Sequence, residues 1–229
     1  MEYLHNGFTL ELSKDAFPLS TDSIALSGFV KLPKNAAVLD LCSGCGTLGL
    51  LLCAKDTGCN VTGIEIDNNA HEMALHNAAE NNIAHRLTSI CMDAAAVHTA
   101  IKPGSFHCCV SNPPYFSSGP KSSRTPIARR EDLISMDSLF QSAAWALRYG
   151  GDFFLVHRPE RLAQLFACSV KHGLEPKRLL LLRHKPDGPV VLTLVQCRKG
   201  GNTGLLWQEE CLQDSQGNPT DYYRNLYHI

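Results

Sequence analysis

Asn112-Pro113-Pro114-Tyr115 follows an apolar run, Phe106-His107-Cys108-Cys109-Val110, whose composition predicts a buried strand. Residues of these types at a strand's end suit one task, the handling of a planar nitrogen. The lone pair of an exocyclic amine or amide is delocalised into its ring or carbonyl. It attacks a methyl sulfonium poorly until it is turned out of conjugation. The Asn112 side-chain oxygen and the Pro113 carbonyl are both acceptors, able to take the two N–H hydrogens and aim the lone pair. Pro113 and Pro114 hold φ near about −65° and carry no N–H, so the corner is stiff and its carbonyls stay available. Tyr115, aided by Phe116, offers a face for a flat group to stack on. The competing reading of this tetrapeptide is a plain sharp turn with a solvent-facing tyrosine.

A second constellation lies upstream, in Val38-Leu39-Asp40-Leu41-Cys42-Ser43-Gly44-Cys45-Gly46-Thr47-Leu48-Gly49. It predicts a short strand, a glycine-rich turn and an apolar helix start. Gly44, Gly46 and Gly49 have the spacing G-x-G-x-x-G, and Glu65 closes the next apolar strand, Val61 to Asp67, at about the 20-residue offset of a ribose-binding acid. Missing Cβ atoms let a ligand approach the backbone, and a helix N-terminus favours its carboxylate or phosphate. Alone, this is a generic nucleotide-binding unit, and a dinucleotide enzyme stays open. Two acids favour S-adenosyl-L-methionine. Asp40 lies inside the strand before the glycines, where it could face an ammonium, and Asp93 ends a third apolar strand, Leu87 to Met92, where it could accept from an adenine amine. The alternative role for both acids is helix or turn capping.

With these motifs in order, the chain resembles the class I S-adenosylmethionine-dependent methyltransferases of the amino-group type. Within them it is similar to the short bacterial tRNA1(Val) adenine-N6 methyltransferases. The closer likeness rests on Phe17-Pro18-Leu19-Ser20-Thr21-Asp22-Ser23-Ile24-Ala25-Leu26, on Leu39 to Gly46, on Gly63-Ile64-Glu65-Ile66, on Ser111 to Phe116 and on Val156-His157-Arg158-Pro159-Glu160-Arg161-Leu162. It runs over roughly the first two hundred residues. The resemblance implies that Asp40, Cys42, Gly44 and Gly46 line the methionine end of the cofactor, that Glu65 and Ile66 hold the ribose side, and that Asp93 with Ala94 meets the adenine. Asn112 through Tyr115 would hold the target amine, which in the family is that of the adenosine just 3′ of the anticodon.

Composition is consistent with this. A chain of 229 residues can bury a sizeable core as one domain. Met1 to Leu12 is mixed and polar, and no apolar run approaches the roughly 20 residues of a membrane span, so a cytoplasmic protein without a membrane partner is expected. Of the ten cysteines, Cys53, Cys91, Cys108, Cys109, Cys168 and Cys197 lie in predicted strands or helices and read as reduced small hydrophobes. Cys42 and Cys45 form a C-x-x-C, but no second pair completes four ligands, so no metal is expected.

The net charge of −1 conceals a gradient. Residues 1–110 hold six Lys or Arg against eleven Asp or Glu, and residues 111–229 hold fifteen against eleven. The densest basic stretch follows the Asn-Pro-Pro-Tyr corner. Its Lys121, Arg124, Arg129 and Arg130 make a candidate clamp for backbone phosphates, the alternative being a solvated loop. A near-neutral chain with a local basic patch suits a limited footprint on a folded RNA, here a tRNA.

The remaining periodicity predicts a helix over Leu133 to Tyr149 ending at Gly150-Gly151, a strand Asp152 to Val156, a helix from Pro159, and an antiparallel pair Arg178–Arg183 and Val190–Val195. Alternating strands and helices imply an α/β fold, Rossmann-like, with a mostly parallel sheet covered on both faces. The resemblance implies seven strands, the last antiparallel. One methyltransferase domain is expected over 1–229: an N-terminal cap segment (1–35) with a short hairpin and a helix capped near Thr21-Asp22, a catalytic core (36–200), and a tail (201–229) without assigned function. Similar proteins fold the cap segment over the cofactor, which makes Thr21 or Asp22 a candidate lining residue, with capping as its other role. The oligomeric default is a monomer.

The expected reaction is direct methyl transfer without a covalent enzyme intermediate. Three alternatives stay open. The same corner grips a glutamine amide in methyltransferases of protein release factors, although those carry a helical domain ahead of the glycine loop. A DNA adenine methyltransferase would need a separate recognition segment. A non-catalytic RNA-binding protein would need a damaged cofactor site, whereas Asp40, Gly44, Gly46, Glu65 and Asn112 are intact.

Overall fold

The computed structural model describes residues 1–12, 19–114 and 134–228. The chain opens with a two-stranded antiparallel hairpin, β1 (Glu2–Tyr3) and β2 (Thr9–Leu10), followed by helix α1 (Thr21–Phe29). The α1 cap is Ser20, one residue earlier than the expected Thr21-Asp22, and its side chain accepts from the Ser23 N–H.

Strand and helix then alternate: β3 (Ala37–Leu41), α2 (Thr47–Lys55), β4 (Asn60–Glu65), α3 (Asn68–Glu80), β5 (Leu87–Cys91) and β6 (Phe106–Ser111). After them come α4 (Met136–Ala146), β7 (Leu147–His157), α5 (Leu162–Lys171), β8 (Leu174–Arg183), β9 (Val190–Lys199), β10 (Leu206–Cys211) and α6 (Asp221–Tyr227). Pro159 opens a short 3-10 turn ahead of α5, where its missing N–H costs nothing.

Neighbouring residues along the strands point into two different buried clusters, and that parity sets the architecture. Val38, Val61, Cys108, Val110, Phe154 and Val156 pack with α1 and α2 through Leu26, Phe29, Leu50 and Cys53. Leu39, Leu41, Ile64, Cys109, Phe153 and Leu155 pack on the opposite face with α4 and α5 through Leu139, Phe140, Ala143 and Leu165. Strands apolar on both sides need helices on both sides. Phe140 meets Phe153 edge to face, with ring centroids 5.2 Å apart, and each is fully buried. Burial of one such side chain stabilises the fold by about 2–3 kcal/mol.

The main sheet has eight strands in the order β10-β8-β9-β7-β6-β3-β4-β5. Strands β7, β6, β3, β4 and β5 run parallel, and β9 runs antiparallel between β7 and β8. This contains the expected seven with its antiparallel member. The eighth strand comes from the tail, where β10 adds parallel to β8. The tail then turns at Asp214, whose carboxylate accepts from the Gln216 and Asn218 N–H groups, and returns as α6 beside α1.

Helix α4 is shorter than the expected Leu133–Tyr149. Leu147 is already extended, and Leu147 to Gly151 belongs to β7. The apolar spacing of Leu147 continues the helical pattern, so sequence periodicity overruns the true end. A distant residue marks that end: the Lys199 ammonium donates to the carbonyls of Ala144 and Leu147 at 2.6 and 2.7 Å. Of the cysteines read as small hydrophobes, Cys53, Cys108, Cys109 and Cys197 are buried, Cys168 is half-buried and Cys91 is exposed.

Candidate active site

The parallel strands bring four loops to one edge of the sheet. β3 leads into the glycine turn, β4 ends in Glu65, β5 leads to Asp93, and β6 leads to Asn112. Asp40 lies in β3, paired in register with Gly63 of β4 and Val110 of β6. Ligands in open α/β sheets sit at this carboxyl edge, so the topology assembles what the sequence spreads over seventy residues.

The glycine turn and Glu65 are one unit. Glu65 Oε2 accepts from the Gly44 N–H at 2.8 Å, and its Oε1 accepts from the Asp67 N–H at 2.9 Å. The carboxylate is thereby fixed, with lone pairs left to accept from a diol. Cys42, Gly44 and Gly46 all have positive φ (62°, 54° and 79°). A Cβ on Gly44 would meet nothing within 4 Å, whereas one on Gly63 would lie 2.6 Å from Ser43 Oγ. Thus Gly44 borders open space, and Gly63 lets β4 and the turn close on each other. Gly49 serves packing, because a Cβ there would press on Leu87 and Val61 at 2.7 and 3.3 Å.

Asp40 is 1% exposed, and its Oδ2 has no hydrogen-bond partner among the described residues. Burial and then the charge of Glu65 hold its carboxyl well above the usual range, against a lowering contribution from the Gly49 N–H. A buried carboxyl with one oxygen unpartnered, behind a helix start whose cap residue is a glycine, is the observation by which a cationic, amino-acid-like ligand fits here. Burial pushes the Cys42 thiol up as well, and Glu65, Asp40 and Asp93 each add to that shift. The turn therefore sits in a field of three carboxyl groups, which favours a sulfonium and an ammonium over a polyphosphate.

Asp93 caps the 3-10 turn Ala94–Thr99, its Oδ1 accepting from the Ala95 N–H at 2.8 Å. One of its oxygens is thus spent on capping. Ala94 is buried, while Ile66, 43% exposed, leaves an apolar surface next to Glu65. Asp40, by contrast, lies inside β3 and is not the N-cap residue of any helix.

At the end of β6, fully buried Ser111 donates to the Leu41 carbonyl at 2.7 Å and ties the Asn112 corner to the glycine turn. Asn112 Nδ2 donates to Ser23 Oγ of α1 at 3.0 Å. Nothing among the described residues donates to the Pro113 carbonyl, and Pro113 is buried with Pro114 partly so. Tyr115, Phe116, Lys121, Arg124, Arg129 and Arg130 lie outside the described residues, as do Phe17 and Pro18. Sequence reasoning named Thr21 and Asp22 in the cap segment but missed Ser23, the residue that reaches Asn112. Thr21 Oγ1 instead faces Tyr227 of α6 at 3.1 Å. The available signal was helical spacing: three residues beyond the Ser20 cap returns to the same face.

Among the described residues, no group of three or more His, Cys, Asp or Glu is arranged to hold a metal ion, and no helix is long and apolar enough to cross a membrane.

The sequence profile of the methyltransferase small domain matches residues 23–165. A Bacteroides fragilis protein named tRNA1(Val) (adenine(37)-N6)-methyltransferase is 28% identical over 190 residues, covering 82% of this chain and 80% of the relative. A Vibrio parahaemolyticus protein of the same name is 30% identical over 199 residues, covering 84% of this chain and 80% of the relative. Among solved structures, one from Agrobacterium tumefaciens described as a predicted O-methyltransferase superposes with a TM-score of 0.75 at 19% identity, covering 91% of this chain and 96% of the other. Geranyl diphosphate C-methyltransferase from Streptomyces coelicolor, in complex with S-adenosyl-L-homocysteine, superposes at 0.57 and 11% identity, covering 77% and 76%. At these identities the structural likeness concerns the fold.

Proposed function

We propose, for a chain that belongs to the methyltransferase small domain family, the S-adenosyl-L-methionine-dependent N6-methylation of an adenine in tRNA, at the adenosine just 3′ of the anticodon. The family makes the chain a methyltransferase that uses S-adenosyl-L-methionine. The choice of adenine in tRNA follows the name shared by the curated relatives. The observation that carries the reading is the placement of Asn112, Pro113 and Pro114 at the carboxyl end of β6, tied through Ser111 to the glycine turn at the end of β3.

The residues divide the work as follows. Asp40, with the Cys42–Gly46 turn, takes the amino-acid end of the cofactor, Glu65 and Ile66 the ribose side, and Asp93 with Ala94 the adenine end. The bound cofactor supplies an electrophilic methyl group. Asn112 Oδ1 and the Pro113 carbonyl accept the two hydrogens of the target amine, which rotates its lone pair out of conjugation and fixes it at a near-attack distance of about 3–3.5 Å. Tyr115 and Phe116 stack on the base, and Lys121, Arg124, Arg129 and Arg130 hold backbone phosphates. A dedicated base is unnecessary, because the nitrogen becomes acidic once it is alkylated. An unpaired anticodon-type loop lowers the cost of swinging the base out.

The test is methyl transfer from radiolabelled S-adenosyl-L-methionine to unmodified tRNA, with a release-factor protein offered in parallel and labelled RNA digested to nucleosides. N6-methyladenosine is the expected product. Label confined to protein would replace the reading with glutamine methylation. Asn112→Ala should lose at least a hundredfold in turnover while still binding the cofactor, and unchanged turnover would remove Asn112 from the chemistry.

A further inference from the structure

A carboxamide has two unlike ends, and only one of them helps an amine. If Asn112 presents Oδ1 to the target, it accepts a hydrogen and orients the lone pair. If it presents Nδ2, two N–H donors face two N–H donors and the substrate is repelled. Nothing within Asn112 itself chooses between these orientations.

In the structure Asn112 Nδ2 faces Ser23 Oγ, which puts Oδ1 at the far side of the amide from α1. We propose that Ser23 is a positioning residue: by accepting from Asn112 Nδ2 it locks the amide with Oδ1 turned to the substrate side. This rests on the role given to Asn112 above. Ser23 is 7% exposed, so water competes little for the bond, which measures 3.0 Å. The hydroxyl is not used to cap its own helix, since the α1 cap is Ser20 and Ser23 contributes only its backbone N–H there.

The lock works only if α1 itself is held, and it is held at both ends. At its C-terminal end the Lys55 ammonium of α2 donates to the carbonyls of Ser27 and Val30 at 3.1 and 3.4 Å. Near its start Thr21 Oγ1 lies 3.1 Å from the Tyr227 hydroxyl of α6. Between them, Gly28 lies against Leu226, where an added Cβ would approach the leucine Cδ2 to 2.4 Å. The C-terminal helix thus braces α1, and α1 holds the amide. This assigns a use to the tail and the cap segment together, two parts of the chain far apart in sequence.

The experiment compares Ser23→Ala, Ser23→Thr, Asn112→Ala and the Ser23→Ala/Asn112→Ala double variant. For each, kcat and KM for unmodified tRNA, cofactor affinity by calorimetry and melting temperature are measured. The Asn112 side-chain amide resonance is followed by 15N–1H NMR, assigned by its loss in Asn112→Ala. Ser23→Ala should lower kcat by about three- to tenfold, the worth of one net hydrogen bond, with cofactor affinity within about twofold. The Asn112 amide signal should shift and exchange faster with water. Ser23→Thr, which keeps the hydroxyl, should restore both. In the Asn112→Ala background the serine substitution should cost nothing further, because the group it positions is gone.

An equal loss in both backgrounds would make Ser23 a merely structural residue and overturn the proposal. So would an unchanged amide resonance with wild-type kcat in Ser23→Ala. Should Asn112→Ala itself keep its turnover, the reading of the reaction fails, and the amide resonance alone decides whether Ser23 holds Asn112.

Discussion

Replacement of Asp40 by Asn separates the ligand role of this carboxyl from its role in the fold. The substitution keeps the shape and one oxygen, and replaces the ionisable group with a neutral amide. In the ligand-free protein that charge is a burden, because burial and Glu65 raise the folded-state pKa well above the ordinary 3.8. The folded protein then keeps a proton that the unfolded chain has released. The stabilisation that Asp40 contributes is therefore complete below the unfolded pKa and is lost as pH rises toward and through the folded one. The Asp40→Asn variant lacks this dependence, so its melting temperature relative to wild type should climb between about pH 5 and pH 8. A constant offset from the buried amide hydrogens moves every point equally, which makes the trend the diagnostic quantity. Cofactor binding should change in the opposite sense. Losing a hydrogen bond to a charged group costs about 1.5–3 kcal/mol, or roughly ten- to 150-fold in Kd for S-adenosyl-L-methionine. Calorimetric titration and thermal unfolding at both pH values measure the two effects. A Kd within twofold of wild type, or a relative melting temperature that falls with rising pH, would refute the assignment.

Other perturbations follow from the same geometry. Ser111→Ala removes the fully buried 2.7 Å bond to the Leu41 carbonyl and should cost about 1–2 kcal/mol in urea unfolding; an unchanged midpoint would mean that the β3 and β6 ends hold together without it. His157 is 1% exposed, and burial lowers its pKa to about 4. It is kept neutral in the folded protein, so its stabilising contribution is present above the unfolded value of 6.5 and is lost as pH falls toward 4, by up to about 3 kcal/mol. His157→Gln should flatten that acid limb, and an acid limb identical to wild type in melting experiments would show that other groups cause it.

Much of the site was legible because its chemistry is local. Gly44 and Gly46 announce positive φ, Glu65 and Asp93 stand at strand ends, and the two prolines after β6 stiffen a corner wherever they occur. The misreadings came where a distant residue decided a local outcome. Helix α4 stops at Ala146, where Lys199 binds the carbonyls of Ala144 and Leu147, and apolar spacing through Leu147 carries no trace of that contact. The tail carries no strand signal in its sequence, because an edge strand such as β10, mostly exposed, shows little of the alternation that betrays a half-buried one.

By itself the sequence determined the class of fold and singled out the acids and the Asn-Pro-Pro corner that make the candidate site, since these follow from residue type and near-neighbour spacing. Tertiary structure alone decided which acid would be buried and orphaned, that α6 would brace α1, and that Ser23 would meet Asn112 across eighty-nine positions. Those outcomes depend on the order of strands in the sheet and on which helix lies across its carboxyl edge, and no local pattern of residues encodes either.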